Sequence, residues 1–306
     1  MPSVRDHLDW HLKRPLHGLI ARRVFWTPPL PARDDGVVLF SMVGSNVVAP
    51  YLVAIKSLGR MLGRGRAVVL DDGTLTAADR ERLRAHLPGV EIRAAAAVDT
   101  GACPRGGCWE RLLAILDLRA EAYVVQLDTD TLTLRAVPEV AAAIAANRSF
   151  SLRGEPGSRL MTVGAFAAGL APMDPPLHIQ HAAERAMARL DLDLPEPRYF
   201  RGCAGFAGFA RGAGGRALVE AFSAAQARAV GAERWASWGS EQVASNFVIA
   251  NDADPLLLPQ GRYLNHWGGL LPADARFAHF LGTCRFRGST YMAETGRAIR
   301  TLARAG

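Results

Sequence analysis

The chain has 306 residues, 49% of them hydrophobic, and a formal charge of +7. That hydrophobic share supports a large core and excludes a disordered chain, and no run of about 20 apolar residues reads as a membrane-spanning helix. The positive charge rests almost wholly on arginine, since only Lys13 and Lys56 are lysines; it suits phosphate-bearing ligands or an anionic membrane surface, while no basic run with interleaved aromatics points to nucleic acid.

Four cysteines, Cys103, Cys108, Cys203 and Cys284, contain no C-x₂-C pair and so do not frame a metal site. Cys103 and Cys108 are close enough in sequence for a small-loop disulfide, but reduced thiols in a cytosolic protein are the expectation. Residues 1–26 carry charges and histidines throughout and lack the apolar core of a signal peptide. The sequence is read as a soluble, cytoplasmic chain.

At the N-terminus, Leu8, Leu12, Leu16, Leu19 and Ile20 recur at helical spacing, interrupted by Pro15 and followed by Arg22 and Arg23. Two readings stay open for residues 8–23: a helix docked on its own domain, or an amphipathic segment touching anionic lipid at the inner face of a membrane. Thr27 to Pro31 is proline-rich and punctuates the chain as a linker. These features divide the sequence into an N-terminal helical extension with its linker (1–35), an α/β domain (36–288) and a C-terminal tail (289–306).

Val37 to Ser41 predicts the first strand, opening into the loop Met42-Val43-Gly44-Ser45-Asn46 and a helix with Tyr51, Ala54, Ile55 and Leu58 on one face. A strand, a glycine-containing loop and a helix begin a nucleotide-binding α/β domain. Neither G-x-G-x-x-G nor a P-loop is present. Ala67 to Leu70 predicts the second strand, ending in Asp71-Asp72-Gly73. Thr76-Ala77-Ala78-Asp79 reads as a capping box for a helix with Leu83 and Leu87 inward. A third strand follows at Val90 to Ile92, and a helix spans Trp109 to Leu118. Strands alternating with helices predict a mostly parallel sheet.

The stretch Tyr123-Val124-Val125-Gln126-Leu127 reads as a buried strand running into Asp128-Thr129-Asp130-Thr131. Ligands of open α/β sheets bind beyond the C-terminal ends of the strands. Two aspartates spaced i, i+2 there place hard oxygen donors near one point, which suits Mg²⁺ or Mn²⁺ with substrate phosphates completing the shell. An isolated Asp-x-Asp in a turn is equally a solvated pair. Helices are predicted near Pro138 to Ala146 and Leu177 to Leu190, with a strand at Phe150 to Leu152. The stretch from Gly154 to Pro176 is loop-rich and reads as a cover.

Tyr199 to Phe206 mixes aromatics with glycines that admit close backbone approach, or else mark a tight turn. Ser240 is placed to cap a helix whose first turn holds Glu241 and Gln242, with Asn246 inside it. The last motif is His279-x-x-Gly282-x-x-Arg285, preceded by His266.

The order of these pieces resembles the GT-A glycosyltransferases that use sugar nucleotides, most of all glycosyltransferase family 8 and its glycogenin-like members. The likeness runs from about Val37 to Arg287 and rests chiefly on Asp-x-Asp followed by His-x-x-Gly-x-x-Arg. It implies the GT-A α/β fold, a mostly parallel central sheet flanked by helices. It implies an enzyme that moves a hexose from a nucleotide sugar, UDP-linked by default, to an acceptor that the sequence does not identify. Asp128, Asp130 and His279 would then hold Mn²⁺ or Mg²⁺. Arg285, where the family usually has lysine, would neutralise a phosphate, and Gly282 would let backbone reach the diphosphate. Ser41, Met42, Gly44 and Asp72 would face the nucleoside, and Arg111 would stand near the donor. Gly205, Glu241 and Gln242 would line the sugar pocket.

The family typically has Asp-Gln at Glu241-Gln242, and Asn-Ser/Ala-Gly where this chain runs from Arg201 to Gly205. Retention of configuration would let the leaving phosphate take the acceptor's proton, whereas inversion would require a carboxylate base, for which Glu241 is the candidate. Three other readings are a phosphatase of the haloacid dehalogenase type, a sugar-phosphate nucleotidyltransferase on a related fold, and a nucleotide-sugar-binding module without turnover.

Overall fold

A computed structural model describes residues 4–171, 178–212 and 214–304. In chain order its elements are α1 (Val4–Ala21), β1 (Val37–Val43), α2 (Val48–Leu62), β2 (Arg66–Asp71), α3 (Ala77–His86), β3 (Glu91–Ala94), α4 (Trp109–Leu118), β4 (Tyr123–Leu127) and β5 (Thr131–Thr133). Then follow α5 (Pro138–Ala145), β6 (Phe150–Arg153), β7 (Met161–Thr162), α6 (Val163–Ala168), α7 (Ile179–Ala186), β8 (Arg198–Tyr199), β9 (Gly202–Phe209) and α8 (Arg216–Val230). The chain ends with α9 (Ala232–Trp235), α10 (Ser240–Asn251), β10 (Leu256–Leu257), β11 (Tyr263–His266), β12 (Phe277–Phe280) and α11 (Thr290–Ala303). Its contacts gather into two compact units.

The first unit comprises Met1–Ala94, Val125–Ala142 and Leu258–Gly306. Here β4, β1, β2 and β3 lie in that order, and β1 pairs β2, and β2 pairs β3, in parallel. The apolar runs of β1 and β2 bury Val37 to Phe40 and Val68 to Leu70, which is why they read as continuous rather than alternating. Helix α2 buries Leu52, Ile55 and Leu58 and ends at Gly63, whose φ of 66° is the left-handed conformation that terminates helices. Helix α3 begins with the expected capping box, Thr76 and Asp79 each satisfying the other's backbone N–H. A smaller sheet runs β11-β12-β5, with β12 antiparallel to β5.

Helix α1 runs through Pro15 without a break. A proline removes one backbone hydrogen bond from a helix interior, and here tertiary contacts hold the helix. Lys13 Nζ donates to the carbonyls of Phe286 and Gly288, and His17 bonds Thr295 on α11. The proline-rich stretch is fixed too. Leu30 N donates to the His86 carbonyl, and a Cβ at Gly59 would meet Leu30 at 2.5 Å. The C-terminal segment is helix α11.

The second unit comprises Ala95–Val124 and Ala143–Leu257. Its strands run β10-β6-β9, with β10 parallel and β9 antiparallel to β6, and β7 pairs β8 separately. Helices α4 and α10 are buried along most of their length. All four cysteines are free thiols. The fold is therefore α/β, with mostly parallel strands flanked by helices, as the sequence predicts. The predicted loop from Gly154 to Pro176 contains β7 and α6, and its residues 172–177 lie outside the described residues.

Candidate functional site

Nine of the predicted residues belong to the first unit. Strand β4 ends at Leu127, so Asp128 and Asp130 stand at its C-terminal end. Thr131 then enters β5 opposite His279 of β12, and the Phe280 N–H bonds the Asp130 carbonyl. That register brings a histidine from far along the chain onto the aspartates. Its Nε2 lies 3.8 Å from Asp128 Oδ2 and 3.3 Å from Asp130 Oδ1.

One ligand atom from each of the three residues can be chosen so that all lie within 4.8 Å of one another. Asn265, on the neighbouring strand β11, places its Oδ1 3.1 Å from His279 Nδ1. Assigning the ring proton to Nδ1 leaves the Nε2 lone pair facing the carboxylates, the orientation that a metal ligand needs. Two hard oxygens and an imidazole nitrogen fit a divalent cation such as Mn²⁺ or Mg²⁺.

Arg285 reaches the same cluster. Its terminal nitrogen lies 2.7 Å from Asp130 Oδ2, and its Nε donates to the Gly282 carbonyl at 2.9 Å. Gly282 has a φ of 45°, a left-handed turn that glycine adopts without a side-chain clash. Burial alone would raise the Asp130 carboxyl, but His279, when both its ring nitrogens carry protons, and Arg285 outweigh it and hold the group below its ordinary value. The carboxylate is thus kept ionised and available as a ligand.

Around the nucleoside-type loop, Gly44 packs against the turn after β2. A Cβ at Gly44 would collide with the Asp72 carboxylate and with Thr74 Oγ1, so glycine lets the two loops meet without moving those side chains. Asp72 Oδ1 accepts from both the Thr74 N–H and its hydroxyl. Ser45 donates from its hydroxyl to Asp79 at 2.6 Å. Ser41 is fully buried and donates to the Leu127 carbonyl, tying β1 to the end of the metal-bearing strand. Met42 is half-buried in β1.

A cavity of about 1130 Å³ in this unit is lined by Ser45, Asn46 and Thr129 and by four arginines, Arg14, Arg22, Arg82 and Arg285. Thr129 lies between the two aspartates in sequence. Two of these arginines, 14 and 22, come from the N-terminal segment.

The remaining four predicted residues belong to the second unit. Arg111 on α4 and Glu241 on α10 form an ion pair at 3.1 Å, both largely buried. Gln242 accepts from the Ala204 N–H on β9, next to Gly205, and donates to Gln180. The capping role expected of Ser240 is corrected. Gly239 occupies the cap position, and Ser240 lies inside α10 with its hydroxyl accepting from the Trp109 indole N–H at 2.9 Å. The φ of 103° at Gly239 starts the helix one residue earlier than a serine cap would.

Asn265 and Arg14 escaped the sequence reading. Only Asn265 carried a local signal, its place one residue before His266. His266 itself bonds the Gly269 carbonyl, the structural role that a lone histidine usually has.

No family model matches the chain, and no curated protein does. Among solved structures, the apo WbbM bifunctional glycosyltransferase aligns with 88% of this chain and 50% of its own, at 16% identity and a TM-score of 0.50. The chain thus spans about half the length of that protein. Mouse xyloside xylosyltransferase 1 aligns over 82% of this chain and 98% of its own, at 14% identity and a TM-score of 0.47. The galactosyltransferase LgtC, solved with donor and acceptor sugar analogs, aligns over 85% and 95%, at 14% identity and a TM-score of 0.43. The first likeness shows the GT-A type of α/β fold that the sequence predicts.

Proposed function

We propose that this protein is a metal-dependent glycosyltransferase that moves a hexose from a nucleotide sugar, UDP-linked by default. The observation that carries the reading is the meeting of Asp128, Asp130 and His279 at one point, with Arg285 beside them. The glycosyltransferase fold supports it, but folds host many activities and the site must decide.

In this reading Asp128, Asp130 and His279 hold Mn²⁺ or Mg²⁺, which when bound offsets the charge of the donor diphosphate. Arg285 neutralises a phosphate as negative charge grows on the leaving group, and its planar fork suits two oxygens at once. Gly44 and Asp72 hold together two loops that would flank the nucleoside, and the resemblance puts Ser41 and Met42 on the same side of the donor. Gly282 lets the backbone turn toward the diphosphate. Roles for Arg111 near the donor, and for Gly205, Glu241 and Gln242 at the sugar, are carried by the resemblance alone. The transfer proceeds with retention, the departing phosphate taking the acceptor's proton.

The decisive experiment is calorimetric titration of UDP into the protein with and without Mn²⁺, on wild type and on the Asp128→Ala/Asp130→Ala double variant. Metal-dependent binding that the double variant loses supports the donor site. Absence of binding by UDP and by every other nucleoside diphosphate sinks the transferase reading. The anomeric configuration of the product, read by NMR once a donor is found, tests retention.

Among the described residues no helix is long and apolar enough to cross a membrane. Yet Leu12, Leu16 and Leu19 stand exposed on one face of α1, at 63%, 49% and 61%. We read residues 8–23 of a cytoplasmic chain as a peripheral contact with the anionic inner face of a membrane. Replacing Leu12 and Leu16, which lie outside the cavity lining, by serine should abolish flotation with phosphatidylserine vesicles without altering UDP binding. Equal flotation of both proteins would remove that reading.

A further inference from the structure

The donor cavity has a wall that the resemblance does not include, because α1 precedes the matched region. Trp10 of α1 lines that wall. Arg14 lies with its guanidinium carbon 5.5 Å from the Trp10 ring centroid, and Arg285 lies 5.4 Å from it. Phe286 meets the same ring edge-on at 5.3 Å. Lys13 holds the carbonyls of Phe286 and Gly288, directly behind Arg285. The helix is therefore fastened to the very loop that carries the phosphate-binding arginine.

Charge then sets the kind of ligand. Arg82 is paired with Asp79, and Arg285 with Asp130. Arg14 and Arg22 have no carboxylate partner among the described residues. Two guanidinium groups against one ring repel each other, and cation–π contact with the ring offsets only part of that repulsion. A ligand with several negative charges satisfies both, and guanidinium groups are the side chains best shaped to bind phosphate oxygens.

We propose that α1 belongs to the ligand site. Arg14 is a second phosphate-binding cation facing the diphosphate together with Arg285, and Trp10 is the positioning residue that holds both. This rests on the reading of the cavity as a nucleoside diphosphate site.

The test titrates UDP, in saturating Mn²⁺ and at several salt concentrations, into wild type, Arg14→Gln, Trp10→Ala and Trp10→Phe. Uridine binding is followed in parallel by ligand-observed NMR. Arg14 is exposed, so its replacement leaves the core intact, and thermal unfolding of each variant checks this. Arg14→Gln should weaken UDP about tenfold or more, the size of a lost charge-assisted hydrogen bond. It should flatten the salt dependence and leave uridine unchanged. Trp10→Ala should weaken UDP in the same way, and Trp10→Phe, which keeps a ring face, should restore most of the loss. Wild-type UDP affinity in Arg14→Gln, or an equal loss for uridine and UDP, overturns the role of α1 while the donor site stands. A wild type that binds no nucleoside diphosphate overturns both.

Discussion

Two clusters of charge in this molecule are built in opposite ways. In the first unit, Asp128, Asp130, His279 and Arg285 come from strand ends and a glycine turn, and a large cavity in the same unit is lined by Thr129 and Arg285. In the second, Arg111 and Glu241 lie on two helices, largely buried and ion-paired with each other. Both clusters hold residues that the sequence marked for function. The difference lies in balance and access: the first gathers ligand atoms of two carboxylates and an imidazole at one point, while the second neutralises itself inside the helix packing. A charge cluster that is already matched within the protein is a poor guide to a ligand, and one that gathers like charges near a cavity is a better one.

The largest effect should follow from breaking the first cluster. Asp130→Ala removes a metal ligand and the partner of Arg285 together. We expect metal-dependent turnover of the donor to fall by three orders of magnitude or more, roughly 4 kcal/mol of transition-state stabilisation. Far-UV circular dichroism and the unfolding midpoint should stay near wild type, because strand β5 is held by backbone pairing to β12 rather than by this side chain. An Asp130→Ala enzyme with wild-type turnover would falsify the assignment of this cluster.

The second cluster should respond in stability first. Arg111→Ala leaves the buried Glu241 carboxylate without its cation, which costs about 3–5 kcal/mol in comparable buried pairs. Chemical denaturation should show that loss. Replacing both residues by a matched apolar pair, Arg111→Met/Glu241→Leu, should recover much of it. If the double variant is stable yet binds UDP-sugar far more weakly than it binds UDP, Glu241 or Arg111 acts on the sugar, and the contrast between the clusters collapses.

The sequence made the first cluster legible only in part. Asp128 and Asp130 announce themselves, since a buried run ending in Asp-x-Asp needs no tertiary information. The capping box at Thr76 and the span of α4 are equally local, and both are found where they were expected. His279 could be joined to the aspartates only through a family resemblance, because the antiparallel register of β12 on β5 that unites them is a long-range pairing. Asn265 stayed hidden for the same reason. Ser240 misled because serine before an apolar run is a good cap signal, yet a glycine with positive φ immediately before it took that place. Leucine periodicity in α1 foretold a helix. That one face would lie against α11 and the Arg285 loop, and the other in solvent, depends on tertiary packing that periodicity does not encode.

The smallest of these effects comes from His17, which ties α1 to the first cluster. His17 is buried, stacks on Tyr291 at 4.1 Å and bonds Thr295. Burial, and then the nearby positive charge of Arg285, push its pKa from 6.5 down to about 4. In the unfolded chain the ring binds a proton below about 6.5, while in the folded protein it resists until about 4. Between those values the unfolded state holds more protons, so stability falls as pH drops through that window. At pH 4.5 the loss attributable to His17 should be on the order of 2–3 kcal/mol relative to pH 7. His17→Asn should therefore close most of its stability gap to wild type on acidification, measured by denaturant unfolding at the two pH values. Arg285→Gln removes the second cause of the shift, so the acid loss should shrink in that background too, by less than with His17→Asn. An acid response identical in all three proteins would show that α1 is not electrostatically joined to the loop that carries Arg285.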